Sequence, residues 1–362
     1  MLNGVRRFGR QLLTESDEAE DIRERFVAHF CGIGDEAYSG LQSDRGEWWH
    51  SHLEDEFGNM REVLSILHAG EDAERGLELL GSTWRFYQSR GHLVEADHWL
   101  KRFFALPGAE VDSVGLVKGV MARAAIHYWR QQPDLAVEDY EEAVVRARDL
   151  GDRSLIADAV YGLATSLVWG DRASEAGPYL DEARAMYTEL GDLGGVADIV
   201  AGDAFAVVRE RGPAGLASEF EYVADLYQQA GRQVQATQAI FGQTAVALTE
   251  NRLEDAQGLA RSGLTRGVDL ADVVLQTWGL EYAATIELML DNVEVAALLG
   301  GAAEAQREKA GGSSGPGEVD FFNAMTLLVE RFGEDRAEEM VAPGRLMDLD
   351  EAVQLAMSQD KD

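Results

Sequence analysis

A period of 40 residues constrains what this chain can fold into more than any other feature of its sequence. The stretches before residues 151 and 191 are amphipathic, and each ends in Leu-Gly, which is typical of a helix that terminates in the left-handed conformation. At this spacing the terminating position holds Gly151, Gly191, Gly231, Ala271 and Gly311. A period of this length, built from helical segments, predicts a repeat protein in which each unit packs on its neighbours.

Two further columns at the same spacing describe the first helix of each unit. One column is apolar in all its copies, which are Leu80, Val120, Val160, Val200, Ile240 and Leu280. Another is almost always tiny, and holds Ser82, Ala122, Gly162, Gly202, Gly242 and Tyr282. The apolar column predicts a buried stripe. The tiny column predicts that a neighbouring helix approaches closely there, and it accounts for many of the 38 glycines.

The pattern predicts an all-α fold, a tetratricopeptide-like right-handed superhelix of antiparallel helix pairs. We expect an N-terminal helical segment over 1–30 and a helical region with the first repeat over 31–110. Five repeats are expected over 111–310. The Gly/Ser-rich stretch 311–317 predicts a flexible linker, and 318–362 contains amphipathic helices suited to cap the end of a solenoid.

Charge and composition narrow the classes of partner. The chain carries 65 acidic and 32 basic residues, a formal net charge of −33. Such a surface repels phosphate backbones and anionic lipid, so we expect no direct nucleic-acid or membrane partner. The acidic residues either solvate the surface or attract a basic protein or a cationic ligand. Cys31 is the one cysteine, so no intrachain disulfide can form, and the sequence shows no signal peptide. We expect a cytoplasmic protein.

Two stretches in the first third of the chain resemble a known family. The pattern W-x-x-x-L-E-x-E-x-x-N-x-R runs from Trp49 to Arg61, and W-R-F-x-x-x-R-G-x-x-x-E-x-x-x-W-L runs from Trp84 to Leu100. Residues 3–30 are also similar to the last winged-helix segment of that family and the helix after it. The family is that of the actinobacterial AfsR- and LuxR-type regulators, signal-transducing ATPases whose tetratricopeptide region acts as a sensor. The resemblance implies a sensing role.

The chain departs from that family in two respects. It contains no G-x-x-x-x-G-K-[ST] phosphate loop and no complete helix-turn-helix domain with a basic recognition helix. The family's ATPase and DNA-binding output are therefore not expected here. The chain is either a stand-alone protein or part of a larger regulator.

The motifs of common catalytic and metal sites are also missing from the sequence. The seven histidines form no H-x-x-x-H or H-E-x-x-H pair, and there is no second cysteine. We therefore expect no catalytic residues, no metal and no cofactor, and binding is favoured over catalysis. Two alternatives remain open. One is an enzyme of specialised metabolism whose pocket is enclosed by a curled solenoid, and the other is a self-assembling structural adaptor.

The expected function is a regulatory scaffold that recognises a protein, peptide or small effector in its concave groove, alone or as a homodimer. Trp129 and Trp169 stand one repeat apart and either grip a ligand or close the seam between units. Arg123, His127 and Arg130 form a basic cluster that either receives an anionic group or pairs with neighbouring acids. The full set of expected ligand-binding residues is Tyr87, Arg90, Arg123, His127, Trp129, Arg130, Trp169, Asp203 and Gln243.

Overall fold

The computed structural model describes residues 16–170, 172–312 and 323–359, and within them α-helices dominate and no strand occurs. In chain order the helices are α1 (Ala19–Gly40), α2 (Gly46–Ala69), α3 (Ala73–Ser89), α4 (Leu93–Phe104), α5 (Val114–Trp129), α6 (Pro133–Leu150), α7 (Arg153–Trp169), α8 (Ala176–Leu190), α9 (Leu193–Arg211), α10 (Ala217–Gln229), α11 (Gln233–Thr249), α12 (Leu253–Asp269), α13 (Val273–Met289), α14 (Val293–Lys309), α15 (Ala324–Phe332), α16 (Glu334–Val341) and α17 (Leu349–Met357).

Helices α3 to α14 form consecutive antiparallel pairs, and each pair packs on the next. The fold class expected from the 40-residue period is therefore confirmed. Helices α1 and α2 precede the first pair, and α1 runs unbroken through residue 30, where the sequence had suggested a boundary. Helices α15 to α17 pack on α14 at the other end. Residues 1–15 and 313–322, which include part of the expected winged-helix-like segment and most of the expected linker, lie outside the described residues.

The turns between pairs explain the glycine column. The backbone is left-handed at Gly151 (φ 74°), and Ala271 adopts the same conformation (φ 49°) at the equivalent position. An aspartate follows at this turn in several units, where its side chain accepts a backbone N–H of the next helix. These N-cap residues are Asp72, Asp152, Asp192 and Asp272. At these four turns, no more than three residues separate the end of one helix from the start of the next.

The tiny column receives large side chains from the preceding pair. A Cβ atom at Gly162 of α7 would overlap the ring of Tyr140 of α6, and one at Gly242 of α11 would overlap the ring of Phe220 of α10. The structure therefore shows the close approach that the column predicts. Because the second helix of one unit inserts into the first helix of the next, the two helices cannot separate without exposing a buried ring.

The stack curls until its ends meet. Helix α3 packs against α13, and Gly91, in the turn after α3, lies against Ala310. At a second point, Asp44 in the α1–α2 turn lies against Gly231 in the α10–α11 turn. The repeats therefore form a closed ring around a central space.

Candidate functional site

The central cavity has a volume of about 230 Å³ and is walled by the first helices of the units. Columns at the repeat spacing again describe this wall. One holds Lys118, Asp158, Asp198, Gln238 and Trp278. A second holds Arg85, Ala125, Thr165 and Phe205. The wall is closed on one side by the α1–α2 turn, from which Leu41 and Gln42 reach the cavity. Helices far apart in sequence therefore contribute to one site.

Aromatic side chains form one part of the wall. The rings of Trp129 and Trp278 stack with centroids 6.1 Å apart and an interplanar angle of 29°. Trp169 and Phe205 lie 5.7 Å apart at the boundary between two units. Trp84 completes this surface. Flat rings with an apolar body suit an aromatic or aliphatic ligand, as in most small-molecule sites.

A buried carboxylate forms a second part of the wall. Asp158 accepts a hydrogen bond from the Tyr38 hydroxyl at 2.6 Å and from the Tyr187 hydroxyl at 2.9 Å. Burial raises the pKa of the Asp158 carboxyl, and the hydrogen bond from Tyr38 opposes that rise. These bonds join α1, α7 and α8, so the carboxylate connects the N-terminal pair to the middle of the ring.

A second carboxylate repeats this arrangement one unit later. Asp198 accepts a hydrogen bond from the Tyr227 hydroxyl at 2.8 Å and from Arg232 Nη1 at 2.6 Å. Arg232 Nη2 also lies 3.4 Å from Asp192 Oδ1. It occupies the position that holds an N-cap aspartate in other units, and it is buried. Its charge therefore compensates Asp198.

Two cationic side chains line the cavity. Lys118 is buried and its Nζ lies 3.2 Å from Glu78 and 3.5 Å from Asp35. Arg85 is half-buried, and its guanidinium carbon lies 4.6 Å from the centre of the Trp84 ring. Within the described part of the chain, Arg85 has no carboxylate at ion-pairing distance. The two cations therefore differ, since one is neutralised by protein and the other is not.

Of the expected ligand-binding residues, Trp129 and Trp169 line the cavity. The basic cluster lies elsewhere. Arg123 donates two hydrogen bonds from Nε to Asp139 at 3.0 Å and one from Nη2 at 2.7 Å, and His127 Nδ1 lies 3.0 Å from the same carboxylate. Asp139 belongs to α6, the partner helix of the same unit. The cluster is thus paired within the protein.

The next two expected residues lie where the ring closes. Arg90 Nη1 donates to the carbonyl oxygens of Leu270 at 3.1 Å and Ala271 at 2.6 Å. Arg130 donates from Nη1 to Asp97 at 2.7 Å and from Nε to the carbonyl oxygen of Gly311 at 3.2 Å. Both arginines therefore join early repeats to late ones.

The remaining expected residues do not line the cavity. Tyr87 is fully buried against Phe57 and Phe86. Asp203 accepts a hydrogen bond from Arg184 at 2.6 Å on the exposed surface, and Gln243 is half-buried outside the cavity.

At about 100° per residue, the column of Arg85, Ala125, Thr165 and Phe205 lies about half a turn round the first helix from Arg123, Asp203 and Gln243. Tyr38, Arg85, Asp158 and Asp198 line the cavity but are not among the residues expected from the sequence. One signal could have found the two aspartates. They stand one repeat apart in helices that are otherwise strongly apolar, and a repeated polar residue in such a helix indicates an internal polar surface.

Among the described residues, no group of three or more His, Cys, Asp or Glu side chains is arranged to hold a metal ion. In the same part of the chain, no helix is both long and apolar enough to cross a membrane.

Comparison with known proteins shows the fold. No family model and no curated protein matches the chain. Among solved structures, the chain is similar to a Rap protein crystallised in complex with competence and sporulation factor. The match has a TM-score of 0.57 at 15% sequence identity, and it covers 92% of this chain and 99% of that one. This likeness supports a tetratricopeptide-like helical repeat along almost the whole chain.

Proposed function

We propose that this chain is a non-catalytic sensor scaffold whose effector, a small molecule or a short peptide, occupies the central cavity. The observation that carries the proposal is the closure of the repeats around a cavity with both aromatic walls and buried polar groups. Such a combination is typical of ligand sites, where apolar contact supplies affinity and a few polar groups fix orientation.

The closed ring also limits the size of the effector. Helices α3 and α13 are in contact, and Arg90 and Arg130 bind backbone carbonyl groups across the junction. A folded protein cannot enter a space of about 230 Å³. A protein partner would therefore contact the outer surface, and the cavity is left to a small molecule or a few residues of a peptide.

The helices that line the cavity suggest how ligand binding would affect a partner on the outer surface. A ligand that contacts α3, α7 and α13 together would stabilise the closed ring relative to an open one. A ligand shifts such an equilibrium by its differential affinity for the two states. A partner that recognises the outer surface of one state would then respond to the ligand.

Two likenesses support a regulatory role. The first third of the chain resembles the sensor region of the AfsR- and LuxR-type regulators through the motifs that begin at Trp49 and Trp84. The structurally similar Rap protein was crystallised with competence and sporulation factor bound. We extend to this chain only the general scheme of a helical repeat that receives an effector.

Native mass spectrometry of a cavity-filling variant tests the proposal. Thr165 lines the cavity and Thr188 lies on the outer surface, and each hydroxyl bonds the carbonyl oxygen four residues earlier, at 2.9 Å and 2.7 Å. Wild-type protein, T165W and T188W are each incubated with the low-molecular-weight fraction of a cell extract. We expect wild type and T188W to retain a ligand mass and T165W to lose it. No retained mass in wild type, or equal retention by a folded T165W, would overturn the proposal.

A further inference from the structure

Arg85 is a cation of the cavity wall that the protein does not neutralise. Its guanidinium lies over the Trp84 ring and, within the described residues, it has neither a hydrogen-bond acceptor nor a carboxylate at ion-pairing distance. The chain has 65 acidic residues against 32 basic ones, so partners are abundant. Partial burial of an unpaired charge costs free energy, and a bound anion would recover it.

The other charged groups around the cavity are already engaged. Lys118 is held by Glu78, Asp35 and the Ser82 hydroxyl, at 3.2, 3.5 and 3.1 Å. The Asp198 carboxylate is bound by Arg232 at 2.6 Å. None of these groups needs a ligand to complete its contacts, which distinguishes them from Arg85.

Asp158 does not form an ion pair with Arg85. Its two oxygens accept the hydroxyl groups of Tyr38 and Tyr187, at 2.6 and 2.9 Å. Burial raises its pKa, while the charge of Arg85 acts in the opposite direction, so the two groups interact without forming an ion pair. The guanidinium therefore keeps its donors available on the cavity side.

A second donor belongs to the same region. The Tyr140 side chain lines the cavity, and its hydroxyl has no hydrogen-bond partner among the residues that the structure describes. Burial raises the pKa of this hydroxyl, and the charge of Arg85 opposes the rise. Tyr140 is thus neutral and able to donate, and it lines the same cavity as Arg85. The Trp84 ring provides a flat apolar surface beside the Arg85 guanidinium.

We propose that Arg85 and Tyr140 bind the carboxylate of the effector, whose aromatic or apolar body lies against the tryptophans of the cavity. This inference rests on the proposed function and adds the chemical class of the ligand. A guanidinium donates to a carboxylate through two parallel N–H groups, which fixes orientation as well as charge. A monoanion is favoured over a phosphate dianion because Asp158 and Asp198 also line the cavity.

A carboxylate of this kind has two sources, a free organic acid or the C-terminus of a short peptide. The probes are therefore 2-naphthoate with its neutral amide, and N-acetyl-Ala-Phe with its C-terminal amide. Binding to the full chain is measured by isothermal titration calorimetry. We expect one acid to bind at least tenfold more tightly than its amide, and the pair that shows the preference identifies the source.

Three variants locate that preference. R85Q removes the charge, R85K keeps the charge without the planar fork, and R184Q removes an exposed arginine that pairs with Asp203 outside the cavity. We expect the acid-over-amide preference to be lost in R85Q, reduced in R85K and unchanged in R184Q. Circular dichroism and thermal melting confirm that each variant is folded.

Each contrary outcome has a distinct meaning. Equal binding of acids and amides, or an acid preference that survives in R85Q, overturns the carboxylate site. If those ligands are nevertheless blocked by T165W, the cavity remains the binding site. If the acids bind equally well to T165W, the proposed function fails instead. Failure of every probe to bind contradicts the carboxylate site, whereas ligand retention in native mass spectrometry decides the function separately.

Discussion

Trp129 at the end of α5 stacks on Trp278 in α13, with ring centroids 6.1 Å apart, although three complete helix pairs, α7 to α12, lie between their units. Trp278 also meets Phe241 edge-on at 6.1 Å. Aromatic pairs in these arrangements stabilise by about 0.5–1.5 kcal/mol beyond the burial of their area. The closure of the ring therefore has a specific apolar contact in addition to the arginine–carbonyl hydrogen bonds.

Replacement of Trp278 by alanine should open or loosen the ring. Trp278 is buried, and truncation of a buried tryptophan costs about 3–5 kcal/mol. We expect a loss of this order in the free energy of unfolding from urea titration, and a larger radius of gyration in small-angle X-ray scattering. The scattering measurement separates an open ring from a merely less stable one.

The matched control is W48A, because Trp48 is 48% exposed and its ring contacts neighbours in sequence, Trp49 and His52 of its own helix and Arg45 just before it. W48A should change the free energy of unfolding by less than about 1 kcal/mol and leave the scattering curve unchanged. If W278A is destabilised but keeps the wild-type radius of gyration, the stacked pair does not hold the ring closed.

Arg90 should contribute to stability and to local protection at the start of α13. It is mostly buried and donates to the carbonyl oxygens of Leu270 and Ala271, which belong to the turn before Asp272 and α13. Hydrogen bonds from a charged donor contribute about 1.5–3 kcal/mol. We expect R90Q to lose an amount in this range and to exchange amide hydrogens faster in the first turn of α13.

The control for R90Q is R148Q, which removes an arginine with the same charge from an exposed pair with Glu182. Exposed pairs contribute about 0–1 kcal/mol, so R148Q should be close to wild type. Equal stability losses in the two variants would show that Arg90 acts only as a surface charge.

The sequence predicts the repeat well because the repeat is local. Tyr140 and Gly162 lie in adjacent helices, so a tiny residue that must accept a ring recurs in the pattern of one unit after another. The curvature of the stack is not local in this way, because it is the sum of small rotations between all the successive units. The sequence therefore does not reveal that Trp129 meets Trp278, nor that the concave side carries Arg85 rather than Arg123. The ligand-binding role expected for Arg123 stays a prediction.

Two glycine-to-alanine variants should change stability in opposite directions. In G162A the added methyl group would overlap the Tyr140 ring, which is buried and cannot move freely. In G258A the methyl group meets nothing within 4 Å on an exposed face of α12. Alanine in a helix is favoured over glycine by up to about 1 kcal/mol, so G258A should gain stability. G162A should lose about 1–3 kcal/mol through overpacking.

Thermal and urea unfolding of both variants measure these changes under identical conditions. The double variant G162A/Y140A provides the decisive control, because it removes the ring that the methyl group would strike. We expect the penalty of G162A to be smaller in the Y140A background than in wild type. Additive effects would show that Gly162 is small for a reason other than the insertion of Tyr140.

His50 should make stability depend on pH below neutrality. Its ring is buried beside Phe86, its Nδ1 lies 3.0 Å from the Ser89 hydroxyl, and burial together with the Arg90 charge lowers its pKa from 6.5 to about 3. Below pH 6.5 His50 binds a proton in the unfolded chain but not in the folded protein, so the free energy of unfolding falls as the pH falls. At about 1.4 kcal/mol per pH unit, the loss by pH 5 is about 2 kcal/mol. Asp272, whose pKa burial raises to about 6, acts in the opposite direction in both proteins.

H50N removes the titrating group and keeps a polar partner for Ser89. Urea titrations of wild type and H50N at pH 7 and pH 5 give four free energies of unfolding, and all groups other than His50 cancel in the difference between the proteins. We expect wild type to lose about 2 kcal/mol more than H50N between the two pH values. Equal losses would mean that the His50 ring accepts a proton in the folded protein, which requires the α2–α3 contact to admit water or to rearrange on acidification.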